Sequence, residues 1–181
     1  NINGSWTQVG EDIHGEATGD ESGYSVSLSG NGSFVAIGAN KNSGNGYRSG
    51  HVRIYQNVNN IWTKVGSDID GEAAGDYSGK SVSLSDDGSI VAIGAPNADN
   101  DYGISTGHVR IYQNNNGTWT QLGNDLDGES AYSYEGYSVS LSSDGSVVAI
   151  GATNADSGQV RIYKNINGSW TQVGEDIHGE A

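Results

Sequence analysis

The sequence predicts an all-β fold built from three tandem units, each a four-stranded antiparallel sheet. The first observation is a stretch that recurs three times, at 23–39, 79–95 and 136–152. The second is its pattern, in which Val26 and Leu28 alternate with serines at the period of two that is typical of a strand. The third is a tryptophan that recurs at a matched place in every unit. Together these observations predict repeated β-hairpins rather than helices.

The recurring stretch supplies the first and second strands of each unit. Its two arms are joined by a three-residue loop that always ends in glycine, at Gly32, Gly88 and Gly145. A type I turn followed by a bulge needs a positive φ at that last position, which glycine adopts without strain. The second arm, such as 91–95, is a short and nearly continuous apolar run, as expected of a strand covered on both faces.

The third and fourth strands follow a polar loop. The third strand is typified by 50–56, and a turn that contains Asn-Asn or Asn-Gly leads from it to the strand that carries the tryptophan. Asn-Gly between two apolar runs is a strong hairpin signal. Because the tryptophans recur once per unit, we expect them to pack between sheets or along a sheet edge rather than to bind sugars. They are Trp6, Trp62, Trp119 and Trp170.

The units differ in length only in the loop between the second and third strands. This loop has ten, eleven and five residues, at 40–49, 96–106 and 153–157. A constant frame with one variable loop is how a repeat scaffold presents a variable face. We therefore predict that any recognition surface lies on the side of these loops, and that they are the most mobile part of each unit.

Composition excludes several classes of partner and site. The chain has no cysteine, so it has neither disulfides nor thiolate metal sites. Eight Lys and Arg residues stand against 22 Asp and Glu, for a formal net charge of -14. Nucleic acid is therefore not expected as a partner. No apolar run approaches the roughly 20 residues of a membrane span, so membrane insertion is not expected either. Strong acidity in a well-solvated chain favours an extracellular or cell-surface setting.

Two acidic clusters are candidates for calcium, and no other cofactor is expected. Asn97, Asp99 and Asp101 alternate as at the start of a calcium loop, but no bidentate glutamate follows. The alternative for both clusters is solvated loop acids, and metal is not expected to be required for folding. The second cluster and its partial repeat comprise Asp68, Asp70, Glu72, Asp76, Asp125, Asp127 and Glu129.

The histidines and arginines also follow the repeat. His51 and His108 stand where the third unit has Gln159, so we expect them to be strand-surface residues rather than ligands or bases. His14 and His178 likewise stand where other copies have aspartate. One arginine per unit lies between Val and Ile on the third strand and is expected to pair with a carboxylate of the neighbouring unit. These arginines are Arg53, Arg110 and Arg161.

Units of this size and strand number match the blades of β-propellers. Residues 81–96 read Ser-Val-Ser-Leu-Ser-Asp-Asp-Gly-Ser-Ile-Val-Ala-Ile-Gly-Ala-Pro. This stretch resembles the FG-GAP repeat of integrin-α-type propellers, and most resembles the versions in large secreted or surface proteins of bacteria. The pairs Ser22-Gly23, Ser78-Gly79 and Glu135-Gly136 stand where that family has Phe-Gly. The resemblance implies propeller-type blades across the three units.

The resemblance does not extend to the family's calcium loop. In its calcium-binding members, the loop between the first two strands carries a longer acidic element. Here that loop has three residues and at most two carboxylates, from Asp86 and Asp87. Calcium takes six to eight oxygens, so calcium at that place is not implied.

The ends of the sequence predict how the units are arranged. Residues 1–17 and 165–181 are identical, whereas the internal counterparts of this stretch differ from it. We interpret 1–17 as the terminal strand of a preceding unit, followed by one unit at 18–73, one at 74–130 and one at 131–181. Three blades are fewer than the typical four to eight of a closed propeller. The units are therefore expected to continue into adjacent copies, as a ring of two blocks or, as we prefer, an open fibre.

The functional expectation is a non-enzymatic structural or adhesive repeat module, part of a longer tandem array or filament. The alternative is a ligand-binding propeller domain that recognises a glycan or a protein through the loops between the second and third strands. An enzyme such as a lyase or glycosidase is the third hypothesis. The sequence has no Gly-x-Ser-x-Gly elbow and no His-Glu-x-x-His motif to support it.

Overall fold

The computed structural model describes residues 4–155 and 157–180 and has three antiparallel sheets of five strands each. The predicted all-β fold of tandem propeller-type blades is confirmed. The first sheet comprises β1 (Ser22–Leu28), β2 (Phe34–Ala39), β3 (His51–Val58), β4 (Ile61–Lys64) and β5 (Ile69–Asp70). The second comprises β6 (Ser81–Leu84), β7 (Ile90–Ala95), β8 (His108–Asn115), β9 (Thr118–Gln121) and β10 (Leu126–Asp127). The third comprises β11 (Glu135–Leu141), β12 (Val147–Ala152), β13 (Gln159–Ile166), β14 (Ser169–Gln172) and β15 (Ile177–His178).

Each sheet is a four-stranded meander with one short additional strand. The four longer strands pair in sequence order, and the fifth pairs with the beginning of the third strand. In the first sheet, Asp70 lies opposite His51, and Ile69 lies opposite Val52. The sequence did not predict this fifth strand, because two residues are too few to show a period.

The hairpin between the first and second strands forms as predicted. Gly32, Gly88 and Gly145 have φ angles of 70°, 72° and 68°, which confirms the positive φ expected at the end of each loop. Asp87 closes its turn by accepting hydrogen bonds from the Ser89 amide at 2.9 Å and the Ser85 hydroxyl at 2.7 Å. This carboxylate is therefore used inside its own turn.

The sheets stack face to face and enclose two hydrophobic cores. Strand β7 serves both, because Val91 and Ile93 point into the first core and Ala92 into the second. The apolar run of the second arm is thus covered on both faces, as its sequence predicts. The first core contains Ala36, Val52, Ile54, Ile69, Val82, Leu84, Val91 and Ile93. The second contains Ala92, Val109, Ile111, Leu126, Val148 and Ile150.

The serines of the first strand bond to the next unit instead of facing water. The Ser25 hydroxyl donates to the Gly79 carbonyl at 2.7 Å, and the Ser81 hydroxyl donates to the Gly136 carbonyl at 2.8 Å. The Ser27 hydroxyl accepts from the Leu84 amide at 3.0 Å. Successive units are therefore joined by polar bonds as well as by apolar packing.

The stretch at 6–9 differs from its later copies. It was expected to be a strand, but these residues are not in one. Each later copy pairs with the third strand of its own unit, as β4 does with β3. Among the described residues, those at 6–9 pair with no third strand. Separately, the described residues contain no helix long and apolar enough to cross a membrane.

Candidate functional site

The tryptophans form a polar joint between consecutive units. The indole N–H of Trp62 donates to the Val9 carbonyl at 2.9 Å, and that of Trp119 donates to the Val65 carbonyl at 2.9 Å. Trp170 repeats the bond to Leu122 at 2.7 Å. Trp119 and Trp170 also pack against the first and second cores. The joints of Trp119 and Trp170 therefore combine a hydrogen bond with packing of the indole ring against a core.

At the N-terminal end of the stack the corresponding side chains are exposed. Trp6 is 87% exposed. On β1, Val26 is 64% exposed and Leu28 is 61% exposed, whereas the equivalent Val82 and Leu84 of β6 are 9% and 6% exposed. We call Trp6, Val26 and Leu28 the N-terminal face.

At the C-terminal end the matching half of the joint is open. Val160 is 37% exposed although its equivalents Val52 and Val109 are fully buried, and Ile177 is 56% exposed although Ile69 is 6% exposed. A cavity of about 440 Å³ opens on this surface beside Val160 and Ile177. Val173 occupies the place of the tryptophan acceptors Val65 and Leu122. We call Val160, Val173 and Ile177 the C-terminal face.

A separate acidic cavity of about 560 Å³ lies beside the loop at 96–106. Burial is the main cause that raises the pKa of Asp76 and of Asp127 in this cavity. Six carboxylates and a single arginine line it, so its surface is strongly negative. The acidic and basic lining residues are Glu72, Asp76, Asp99, Asp101, Asp125, Asp127, His108 and Arg110.

The three predicted calcium ligands all line this cavity. Asn97, Asp99 and Asp101 come together there, on the side of the variable loops. The Asp99 carboxylate already accepts the Ser105 amide at 2.8 Å, which fixes the loop. The neighbouring Asn100 donates to the Gly128 carbonyl at 3.0 Å and so ties the loop to the linker that follows the second sheet.

The arginines of the third strands bind carboxylates from two units. Arg110 contacts Asp125 through Nε at 3.0 Å and Nη2 at 2.7 Å, and its Nη2 also lies 2.5 Å from Glu72 of the preceding unit. Burial opposes the charged form of Asp125, yet the Arg110 hydrogen bonds lower the pKa of this carboxyl. Arg161 lies 2.9 Å from Glu129, again a residue of the preceding unit.

Arg53 makes the equivalent contacts in the first unit. Arg53 lies 3.6 Å from Glu16 and donates to the His14 carbonyl at 2.8 Å. Both residues belong to the linker that precedes the first sheet. A repeated contact between one arginine and the preceding linker therefore fixes the relative position of consecutive units.

The expectation that His51 and His108 are surface residues is wrong. They are 2% and 8% exposed, and Glu16 of the preceding linker lies beside His51. Burial lowers the pKa of both imidazoles, and that of His108 falls to about 4. Both side chains are therefore neutral at pH 7. The replacement of histidine by glutamine in the third unit therefore did not mean that this position is exposed.

A buried glutamate was not singled out by the sequence. Glu135 is 1% exposed and stands where the other units have Ser22 and Ser78. Burial raises its pKa to about 7, although Arg161 Nη1 lies 3.7 Å from its carboxylate. The only sequence signal was that one unit carries an ionisable group at a position where the others carry serine.

The variable loop offers a direct test of its predicted mobility. At its tip, Asp101 and Tyr102 are exposed, whereas 91–94 pairs with strands on both sides. We expect the amides of 101–104 to exchange with deuterium much faster than those of 91–94, measured by hydrogen exchange with mass spectrometry. Asp86 and Asp87, which are exposed at the tip of a hairpin, are the control. Equal protection of 96–106 and 91–94 would contradict the prediction.

Comparison with known proteins supports the repeat and the architecture. A family model described as the FG-GAP repeat matches residues 14–55, which span β1 to β3. This match confirms the resemblance stated from the sequence. No curated protein matches the chain.

Solved structures similar to this chain are propeller-like proteins. One is a protein from Bacteroides fragilis whose assignment as a 6-phosphogluconolactonase is provisional, with 16% identity, a TM-score of 0.57 and coverage of 84% of this chain and 38% of that one. Another is the hydrazine synthase of Kuenenia stuttgartiensis, with 12% identity, a TM-score of 0.56 and coverage of 99% and 39%. The chain thus spans about two fifths of the length of these proteins. At this identity the similarity shows the fold alone.

Proposed function

We propose that the chain is a non-enzymatic structural and adhesive repeat module of an extracellular or cell-surface protein, and that its units continue into adjacent copies. The observation that supports this proposal is the pair of open ends. The N-terminal face and the C-terminal face are the two halves of the joint that is buried twice inside the chain.

The two faces are complementary in detail. The N-terminal face brings a tryptophan donor and two exposed apolar side chains, and the C-terminal face brings the acceptor carbonyl of Val173 and an apolar cavity. Gly174 has no atom within 4 Å of an added Cβ, whereas at Gly66 and Gly123 that space is filled by the tryptophan of the next unit. The C-terminal face therefore keeps the space in which a tryptophan of a neighbouring copy fits.

A contact between two different faces is heterologous, so it produces either a ring or an open filament. Two chains would supply six blades, within the range of closed propellers. Further addition without closure would produce a fibre, which is our preferred arrangement because the identical stretches at 1–17 and 165–181 suit a polymer-like array.

The acidic cavity favours a second function, a propeller domain that recognises a glycan or a protein through its variable loops. Its lining includes six consecutive residues of the loop, 97–102, and its carboxylates suit a ligand with cationic groups. A glycan array and a protein pull-down with the loop variant Asp101→Asn as control test this alternative. Binding by the wild-type chain that is lost in the Asp101→Asn variant would support this second function.

Self-association is the expected result that tests the main proposal. We expect the weight-average mass in sedimentation experiments to rise with concentration, and the double variant Val26→Ser, Leu28→Ser to remain monomeric, since it removes the apolar half of the N-terminal face. Ile104→Ser is the matched control, because Ile104 is 51% exposed but lies on a loop of the middle unit.

The mass at saturation distinguishes the two arrangements. A limit at two chains indicates a ring, and continued growth indicates a fibre. A wild-type chain that stays monomeric at all concentrations contradicts the proposal, as does association that the double variant leaves unchanged.

A further inference from the structure

Two buried histidines occupy the same place in the first and second units. His51 begins β3 and lies opposite Asp70, and His108 begins β8 and lies opposite Asp127. The third unit differs at this place, where Gln159 lies opposite His178. The pairing of a buried imidazole with a carboxylate is therefore a property of two units and not of all three.

In the first unit the imidazole faces carboxylates without bonding to them. His51 Nδ1 lies 4.0 Å from Glu16 Oε2 and 4.0 Å from Asp70 Oδ1, and both distances are too long for hydrogen bonds. Nε2 is buried and has no hydrogen-bond partner among the described residues. With metal–ligand bonds of about 2.0–2.2 Å, two donors of one ion lie roughly 3–4 Å apart, and the His51–Glu16 separation of 4.0 Å is at the upper end of that range.

Donor atoms of three side chains converge at each histidine. One donor atom each from Glu16, His51 and Asp68 lies within 4.8 Å of the others. The second unit repeats this arrangement with His108, Asp125 and Asp127.

The charges around the two clusters favour a bound cation. In the first, Lys64 and Arg53 contact the carboxylates of Asp68 and Glu16. A third carboxylate, that of Asp70, faces the same imidazole. In the second, Arg110 is the only basic residue besides His108 among six carboxylates lining the cavity. Carboxylates therefore outnumber the permanent cations at both places.

The ligand set indicates the class of ion. Calcium and magnesium take oxygen ligands, whereas an imidazole with carboxylates suits zinc and similar divalent transition metals. Neutral imidazole is the form that coordinates metal. Three protein ligands leave a further position for water.

We propose that the chain has two sites for a divalent transition-metal ion of the zinc class. One is formed by His51 with Glu16 and Asp68, and the other by His108 with Asp125 and Asp127. Each site joins the start of a third strand to the residue just before the short fifth strand, and the second site also includes Asp127 of β10 itself. The first also takes a ligand from the preceding linker, so an ion there would strengthen the contact between that linker and the first unit.

Zinc titration by calorimetry tests the proposal, with His51→Gln and His108→Gln as variants. Glutamine is the residue that the third unit carries at this place, so the fold tolerates it there. We expect the wild-type chain to bind two equivalents of Zn²⁺, each single variant one, and the double variant none. His178→Gln, at an exposed histidine of the third unit, is the control and should retain two.

A second measurement does not depend on the variants. In nitrogen NMR of the wild-type imidazoles, Zn²⁺ should shift the ring signals of His51 and His108 and leave those of the exposed His14 and His178 unchanged. Absence of zinc binding by the wild-type chain would overturn the proposal. So would a double variant that binds as many equivalents as wild type, or a shift confined to His14 and His178.

Discussion

The substitution Gly94→Ala is expected to destabilise the chain by about 3 kcal/mol, at the upper end of the usual cost of overpacking a core. A Cβ at this position would lie 2.0 Å from the Gly136 carbonyl oxygen and 2.3 Å from the Ser81 hydroxyl. The oxygen belongs to the backbone of β11 and cannot rotate away. The third sheet would therefore shift from the second, and the second core would open. Urea denaturation followed by fluorescence measures this loss.

Gly151→Ala is the matched control in the third unit. Its added Cβ would meet only the Ser138 side chain closely, with the hydroxyl at 2.4 Å, and that side chain can adopt another rotamer. We expect a much smaller loss of stability for this variant. Because Gly151 lies on the wall of the cavity beside Val160, the same variant should weaken self-association. Equal destabilisation by the two substitutions would contradict the stacked arrangement of sheets.

The strands could be predicted from the sequence because each is specified locally. The alternation of Val26 and Leu28, the terminal glycine of each hairpin loop and the continuous run at 91–95 all depend on residues close in the chain. The three repeats then supported one another, since the same pattern occurred at the same spacing. The fifth strand could not be predicted, because its pairing with the start of the third strand is long-range and covers two residues.

The candidate sites were harder to predict because their side chains are buried by contacts with neighbouring units and linkers. His51 is covered by a linker that precedes its own sheet, and no local pattern reports that cover. The exchange of histidine for Gln159 in the third unit indicated a surface position, but both residues are buried. A position whose residue varies between repeats can therefore be buried in every unit.

The arginine contacts show why single units are not independent. Arg110 belongs to the second unit and Glu72 to the linker before it, and the indole of Trp119 bonds to Val65 of the first sheet. Boundaries placed at sequence repeats therefore cut through these contacts. Stability in such an array depends on the interfaces between neighbours as well as on each unit.

The free energy of unfolding is expected to depend on pH because of Glu135. Burial raises its pKa from 4.5 to about 7 in the folded chain. Between these values the folded state retains a proton that the unfolded state has lost, so stability falls as pH rises. The loss is complete above the folded pKa and amounts to about 3 kcal/mol, at 1.36 kcal/mol for each pKa unit.

Replacing this residue by the serine of the other two units removes the effect. We expect Glu135→Ser to be more stable than wild type at pH 8 by up to about 3 kcal/mol, and the difference to shrink as pH falls toward the pKa of the unfolded carboxyl. Arg161 keeps its contacts with Glu129 and Asp176, at 2.9 Å and 3.2 Å, so the substitution does not leave a buried cation unpaired. Urea denaturation at a series of pH values measures the difference.

The control is Glu129→Gln, which removes the negative charge of an exposed side chain that forms an ion pair with Arg161. If the gain at pH 8 came only from a lower negative charge on an acidic chain, this variant would show it too. We expect no gain, because Glu129 is exposed to water and contributes an ion pair to Arg161. A stability difference between Glu135→Ser and wild type that is the same at pH 5 and pH 8 would show that the Glu135 carboxyl does not titrate in the folded chain between those values. The effect of Glu135 on stability would then come from packing alone.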